Sequence, residues 1–264
     1  MAMKDYIRER FFPHMWCAGC GHGVVLNNLI RAVERLGLKK KEIVMVSGIG
    51  CSSRIAGYLD FHTLHTLHGR ALAFATGVKL SRPELHVIVP MGDGDALAIG
   101  GNHFIHAARR NINITAVVMN NRIYGMTGGQ FSPLSGQGTL ATTAPYGNID
   151  QGFDIAALAQ AAGATYVART SAYHANEVQE YIGAAIAHEG FAVVEVMSQC
   201  PTYYGRKNKQ GGAVEMLKWF KANTARMNSL SAGGDKILCG VFMQVQRPEY
   251  CAQYAGIVRS AMAG

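Results

Sequence analysis

Three short apolar runs, each ending in a turn rich in glycine, asparagine or cysteine, constrain this chain more than any other feature. Ile43-Val44-Met45-Val46 leads into Ser47-Gly48-Ile49-Gly50-Cys51, and Leu85-His86-Val87-Ile88-Val89 runs on to Gly92-Asp93-Gly94-Asp95. Ile114 to Met119 ends at Asn120-Asn121. Short unbroken apolar runs read as strands buried on both faces, which is the habit of parallel sheets covered by helices. Segments with helical spacing lie between them: Val24 to Leu36 closing at Gly37, Arg70 to Leu80 stopped before Pro83, and Ala96 to Arg109. The pattern continues with a helix capped by Asp154, a strand at Tyr166 to Ala168, a helix from His174 to His188 and a strand from Phe191 to Met197. Gly212 to Asn223 is amphipathic, Leu238 to Met243 reads as a last strand, and a short helix closes the chain. The expectation is an α/β fold with a doubly wound, mainly parallel sheet. Residues 1–264 read as a single domain, with 201–264 as its C-terminal extension. The candidate ligand loops follow strands, at the strand ends where open α/β sheets bind ligands. Arg122 to Asn148 reads as one long loop, a length usually kept for function.

Composition narrows the function classes. At 49% hydrophobic the chain can bury a large core, and at 16% charged it leaves surface for a partner to cover. The net charge of +8 comes without a Lys/Arg stripe interleaved with aromatics, so nucleic acid is not expected. An acidic electron-carrier protein suits that charge better. Residues 1–10 are charged and no apolar leader follows, nor does any run reach the ~20 apolar residues of a membrane span. A cytoplasmic location is expected, where thiols stay reduced and clustered cysteines argue for metal before disulfides.

A diphosphate–magnesium site needs hard oxygen ligands. Asp93 can give a carboxylate oxygen, Asn121 an amide oxygen and Ile123 a backbone carbonyl. Gly92 and Gly94 can let backbone N–H groups approach phosphate, and a helix from Ala96 would aim its N-terminus there. Gly125-Met126-Thr127 follows closely enough to touch the same group. Gly-Asp-Gly, one βα segment, then Asn-Asn resembles the thiamine diphosphate enzymes and implies their fold. Gly50, Cys51, Ser52, His68 and Asp95 are further expected contacts of that cofactor.

Four of six cysteines sit in loops that can converge: Cys17-x-x-Cys20-Gly-His-Gly, Cys51 and Cys200-Pro201. Four thiolates suit a [4Fe–4S] cluster or zinc. The second close pair usual for structural zinc is missing, and unligated core cysteines remain a third reading. Cys239 and Cys251 read as small hydrophobes.

Taken in order, these motifs with His68-Gly69-Arg70-Ala71, Gly205-Arg206-Lys207-Asn208 and Arg247-Pro248-Glu249-Tyr250 resemble the β subunits of 2-oxoacid:ferredoxin oxidoreductases, most closely the 2-oxoglutarate type. The resemblance implies that Cys17, Cys20, Cys51 and Cys200 bind one [4Fe–4S] cluster. It implies that the chain holds thiamine diphosphate and Mg²⁺, and that an α subunit completes the site in a heterodimer or a dimer of heterodimers. The implied reaction is coenzyme A-dependent decarboxylation of 2-oxoglutarate to succinyl-CoA and CO₂, or its reverse, with ferredoxin as electron partner. Arg54 then lies where a substrate carboxylate would be met, and His68 where substrate or thiamine would be hydrogen-bonded. His22 and His65 are weaker candidates. No glutamate here lies in a motif that matches the one that activates thiamine; the resemblance implies that this residue belongs to the α subunit, and the chain alone is expected to be inactive. Pyruvate and branched-chain 2-oxoacids are the alternative substrates. Readings from other classes are a non-redox thiamine enzyme, a zinc-stabilised structural subunit, and a non-catalytic iron–sulfur electron-transfer subunit. None of these needs both motif sets.

Overall fold

A computed structural model of the chain describes residues 3–227 and 235–263. The strands are β1 (Ile43–Ser47), β2 (His62–His65), β3 (His86–Gly92), β4 (Ile114–Asn120), β5 (Ile123–Tyr124), β6 (Gln130–Phe131), β7 (Tyr166–Ser171), β8 (Phe191–Met197), β9 (Thr224–Arg226) and β10 (Ile237–Gln244). The helices are α1 (His22–Arg35), α2 (Ile55–Tyr58), α3 (Ala71–Ser81), α4 (Asp93–Leu97), α5 (Gly101–Arg109), α6 (Ile155–Ala162), α7 (Ala175–Ala187), α8 (Ala213–Asn223) and α9 (Tyr250–Ala263). Eight strands form one sheet in the order β2-β1-β3-β4-β8-β7-β10-β9, and only β10 against β7 is antiparallel. β5 and β6 form a separate small hairpin.

The expected unbroken apolar strands are buried on both faces, and the residues divide by parity. Met45, Ile88, Val117 and Val194 face a core built with α1 and α7. Val44, Val46, Val87, Val89, Ala116 and Val118 face a second core built with α3, α5 and α6. Each fully buried Val, Leu or Ile contributes about 1.5–3 kcal/mol. The central strands of a sheet sandwiched this way have no solvated face, which explains the lack of alternation in their sequence.

The expectations for β1, β3, β4, β7, β8 and α1 hold to within a few residues. The helix expected from Ala96 does not. It begins at Asp93, stops at Leu97 and resumes at Gly101. A side chain at Gly100 would collide with the carbonyl oxygens of Asp95 and Ala96, and Gly69 packs against Ile99 and Gly100. The close pass of the Gly69 loop is what divides the helix. β2 and β9 were not expected: β2 is an edge strand with four exposed residues, so burial left no mark on its sequence. The long loop after Arg122 holds the β5–β6 hairpin, and the terminal helix is 14 residues rather than short. Asp154 caps α6 as expected, its carboxylate accepting from the Ala157 N–H at 3.0 Å.

From β1 the chain crosses to β2 on one side, then returns past β1 to β3 on the other. The turns after β1 and β3 therefore diverge from adjacent strand ends. That switch point opens the crevice that holds the site.

Candidate active site

A cavity of about 300 Å³ lies at this crevice. The turn after β1 supplies Ile49, Gly50, Cys51 and Ser52 to its wall. β3 and α4 supply Gly92, Asp93, Gly94 and Asp95, and the turn after β4 supplies Asn121 and the run Ile123 to Thr127. His68 and His22 complete it. Every residue expected to touch the cofactor thus lines one cavity. Arg54 does not: it is exposed at the end of a 3-10 turn and lines neither this cavity nor the one described below. His65 is also outside, bound at Nδ1 to the Ser47 hydroxyl at 2.8 Å.

Asp93 is buried, and its carboxylate accepts from the Ser132 hydroxyl at 2.5 Å. No cation pairs with it among the described residues. Burial pushes its carboxyl up to about 7. A divalent cation would remove that penalty by supplying the missing positive charge. Asn121 lines the same cavity, its amide oxygen accepting from the Ile123 N–H at 3.2 Å.

Asp95 organises three segments. It accepts from the backbone N–H of Gly69 at 2.7 Å and of Ile49 at 3.4 Å. Its Oδ1 also stands 3.0 Å from His68 Nδ1, a charge contact without the angle of a hydrogen bond, and its other oxygen is buried without a partner. The Asp95 carboxylate raises the His68 imidazole above its usual range, against the opposing effect of burial. Gly48 has no room for a side chain because Asp95's carboxylate fills that space.

Gly94 serves another purpose than phosphate approach alone. A methyl group there would collide with the Tyr124 ring, and Tyr124 also meets His68 edge-on with centroids 5.9 Å apart. Tyr124 is a wall residue that pattern reading missed. Its only sequence signal is its place between Asn121 and Gly125.

Asn120 lies outside the cavity and acts beneath it. Its amide donates to Glu195 at 2.7 Å, and its oxygen accepts from the Arg122 N–H at 3.1 Å. Arg122 has φ of 61°, which this bond helps to hold. Glu195 in turn accepts from Arg169 at 2.6 Å, and Arg169 also reaches Asp154, the cap of α6.

The four thiols converge as expected. Cys17, Cys20, Cys51 and Cys200 line a second cavity of about 220 Å³, with Trp16, Pro201 and Tyr203. A Cβ built on Gly125 would lie in ordinary van der Waals contact with the Cys51 sulfur at 3.6 Å and the Cys200 sulfur at 3.8 Å. Burial pushes the Cys20 thiol up to about 12 and the Cys51 thiol to about 11. No group of three or more His, Cys, Asp or Glu among the described residues is close enough to share a single ion. Cys239 and Cys251 are buried elsewhere. The two cavities share part of one wall, formed by His22, Cys51, Asn121, Gly125 and Met126.

A crevice of this kind at a switch point, with an acidic turn and an Asn-Asn turn, defines a thiamine-binding enzyme domain. Residues 48–196 match the family model described as the C-terminal TPP-binding domain of thiamine pyrophosphate enzymes. The chain is 54% identical over 250 residues to the 2-oxoglutarate synthase subunit KorB of Archaeoglobus fulgidus, covering 94% of this chain and 91% of that one. It is 49% identical over 258 residues to the Methanothermobacter marburgensis subunit of the same name, covering 96% and 90%. A solved 2-oxoglutarate:ferredoxin oxidoreductase from Magnetococcus marinus, with 2-oxoglutarate, coenzyme A and succinyl-CoA bound, superposes with a TM-score of 0.91 at 37% identity. That match covers 100% of this chain and 91% of the other. The chain belongs to the β subunits of the 2-oxoacid:ferredoxin oxidoreductases.

Proposed function

We propose that this chain is the cofactor-bearing β subunit of a 2-oxoglutarate:ferredoxin oxidoreductase. The reaction is 2-oxoglutarate plus coenzyme A giving succinyl-CoA, CO₂, one proton and two electrons, the electrons leaving singly to ferredoxin. The observation that carries this reading is the shared wall: a thiamine-type cavity and a four-thiol cavity meet at Cys51, Asn121 and Gly125. The A. fulgidus and M. marburgensis relatives favour 2-oxoglutarate as substrate.

The Asp93 carboxylate, the Asn121 amide oxygen and the Ile123 carbonyl would hold Mg²⁺ and through it the diphosphate. Gly92 to Asp95, Gly50, Ser52 and Gly125 to Thr127, which line the same cavity, would contact the bound cofactor. When bound, thiamine diphosphate supplies the electron sink that decarboxylation of a 2-oxo acid needs. His68 lines the same cavity with Asp95 beside its Nδ1, and could hold a proton or donate a hydrogen bond to the bound group. Cys17, Cys20, Cys51 and Cys200 would hold a [4Fe–4S] cluster. Ligation to iron would deprotonate the thiols whatever burial does to them. Arg54 lies outside the cavity wall, so a role at the substrate carboxylate requires its side chain to swing inward in the assembled enzyme.

An α subunit is required on this reading. Among the described residues the carboxylates on the cavity wall are Asp93, which meets the Ser132 hydroxyl, and Asp95, whose Oδ1 accepts from the Gly69 N–H. The glutamate that activates thiamine must come from outside this chain. Leu67 and Ile99, beside the His68 loop, are 66% and 49% exposed, an apolar rim of the kind that a partner covers. Ferredoxin would dock near Arg206, Lys207 and Lys209, which follow the Cys200 turn.

The test is anaerobic electron paramagnetic resonance on the chain co-expressed with its α partner. A reduced-cluster or radical signal that appears on adding 2-oxoglutarate and coenzyme A supports both chemistry and substrate. A cluster signal with a chemical reductant but none with 2-oxoglutarate would move the substrate to pyruvate or a branched-chain acid. No iron or sulfide under any condition would refute the redox reading.

A further inference from the structure

Five residues form the wall between the two cavities. On the proposed function, two are committed: Cys51 to the cluster and Asn121 to magnesium. Gly125 has no side chain, and Met126 is apolar and 37% exposed. His22 alone is left to give the wall a polar character of its own.

Its position is built from several sides. His22 opens α1 directly after the Cys17-x-x-Cys20 loop and is 1% exposed. Nδ1 meets the Ser198 hydroxyl at 3.0 Å, a fully buried bond. The ring stands edge-on to Trp16, with centroids 5.8 Å apart at 82°. Gly21 makes the close approach possible, since a Cβ there would lie 2.6 Å from both the Ser198 hydroxyl and the Gln199 amide oxygen. Burying an imidazole costs free energy that an apolar side chain against Trp16 would not. Ser198 recovers part of that cost at one nitrogen, leaving the rest of the ring for the wall.

We propose that His22 is a positioning residue for electron transfer: held from behind by Ser198, its ring forms the polar part of the shared wall and sets how readily the cluster accepts an electron. The inference rests on the proposed function, since it needs a cluster among the four thiols. Each transfer moves a single electron from the thiamine side to the thiol side and makes or breaks no bond. Reduction potentials of such clusters follow the dipoles, hydrogen bonds and solvent around their sulfurs. A fixed ring in the wall acts through its dipole and by keeping solvent out.

The test uses the complex with its α partner and the variants His22→Phe, His22→Gln and Ser198→Ala. Iron, sulfide and thiamine contents are measured first, and the cluster potential is then followed by paramagnetic resonance during a redox titration. His22→Phe and Ser198→Ala are expected to keep wild-type iron and sulfide while shifting the reduction equilibrium about tenfold, 59 mV for one electron. His22→Gln, which can still meet Ser198, is expected to restore most of the shift. Single-turnover reduction of the cluster by 2-oxoglutarate should slow in Phe and recover in Gln. A full cluster with a potential within twofold of wild type in either variant overturns the proposal. So does loss of the cluster in both, because His22 would then serve retention alone. A wild-type complex without iron and sulfide would overturn the four-thiol reading beneath it, a result told apart by that first measurement.

Discussion

The indole N–H of Trp16 donates to the carbonyl oxygen of Cys51 at 2.7 Å. Trp16 directly precedes Cys17, so this one bond ties the Cys17–Cys20 loop to the turn after β1. It also packs the indole edge-on against Tyr58, with centroids 5.0 Å apart. Replacing Trp16 by Phe keeps most of the packing and removes the bond, at a cost of about 1 kcal/mol. The expected result is a folded protein whose cluster is lost faster in air, measured as iron and sulfide per chain against time. Equal loss rates in the two proteins would remove Trp16 from the cluster's support.

The two cofactor sites should fail independently. Asp93→Ala is expected to lose magnesium and thiamine and to keep iron and sulfide. Cys17→Ser is expected to do the reverse. Magnesium, thiamine, iron and sulfide analysis of both purified complexes decides it, and a variant that loses neither group refutes that site's assignment.

The buried chain from Asn120 through Glu195 to Arg169 supports the Asn120-Asn121 turn from below. Arg169→Met would leave Glu195 charged and unpaired in the core. The expected cost is about 3–5 kcal/mol. For a chain of this size that lowers Tm by roughly 6–20 °C. Adding Glu195→Gln should recover part of the loss in a thermal melt, because the carboxylate left without Arg169 is then the half-exposed Asp154 and not one in the core. If the second change deepens the loss, the pair is not coupled as described.

Gly94 and Tyr124 make a steric pair. Gly94→Ala alone should impair thiamine binding, since the new methyl meets the Tyr124 ring. Tyr124→Ala in the same chain should restore it in part, because Gly94 is not at positive φ and the nearest atoms to a new Cβ are those of the ring. Calorimetric titration of thiamine diphosphate into the two variants compares them. Unrelieved loss in the double variant would mean that the glycine serves the phosphates alone.

Reversing charge at Arg206, Lys207 and Lys209 should raise KM for ferredoxin and flatten its dependence on salt, while leaving reduction of an artificial acceptor unchanged. Unaltered ferredoxin kinetics would move docking to another face.

Read as sequence alone, the chain determined its class of fold and most of the residues at its site. Unbroken apolar runs can be satisfied only by a sheet covered on both faces, and the strand-ending turns at Cys51, Asp93 and Asn121 mark where ligands must sit. Chemistry is written in residue types, so four placed cysteines and an acidic glycine turn are legible without coordinates. Tertiary structure decided what depends on non-local packing. The edge strand β2 left no pattern because its side chains are exposed. The break between α4 and α5 comes from Gly69, some thirty residues earlier in the chain, pressing on Ile99 and Gly100. Tyr124 entered the site, and Arg54 stayed outside it, through directions that spacing does not encode. The common wall of the two cavities, with His22 in it, exists only because α1 and the turns after β1, β4 and β8 meet at one end of the sheet.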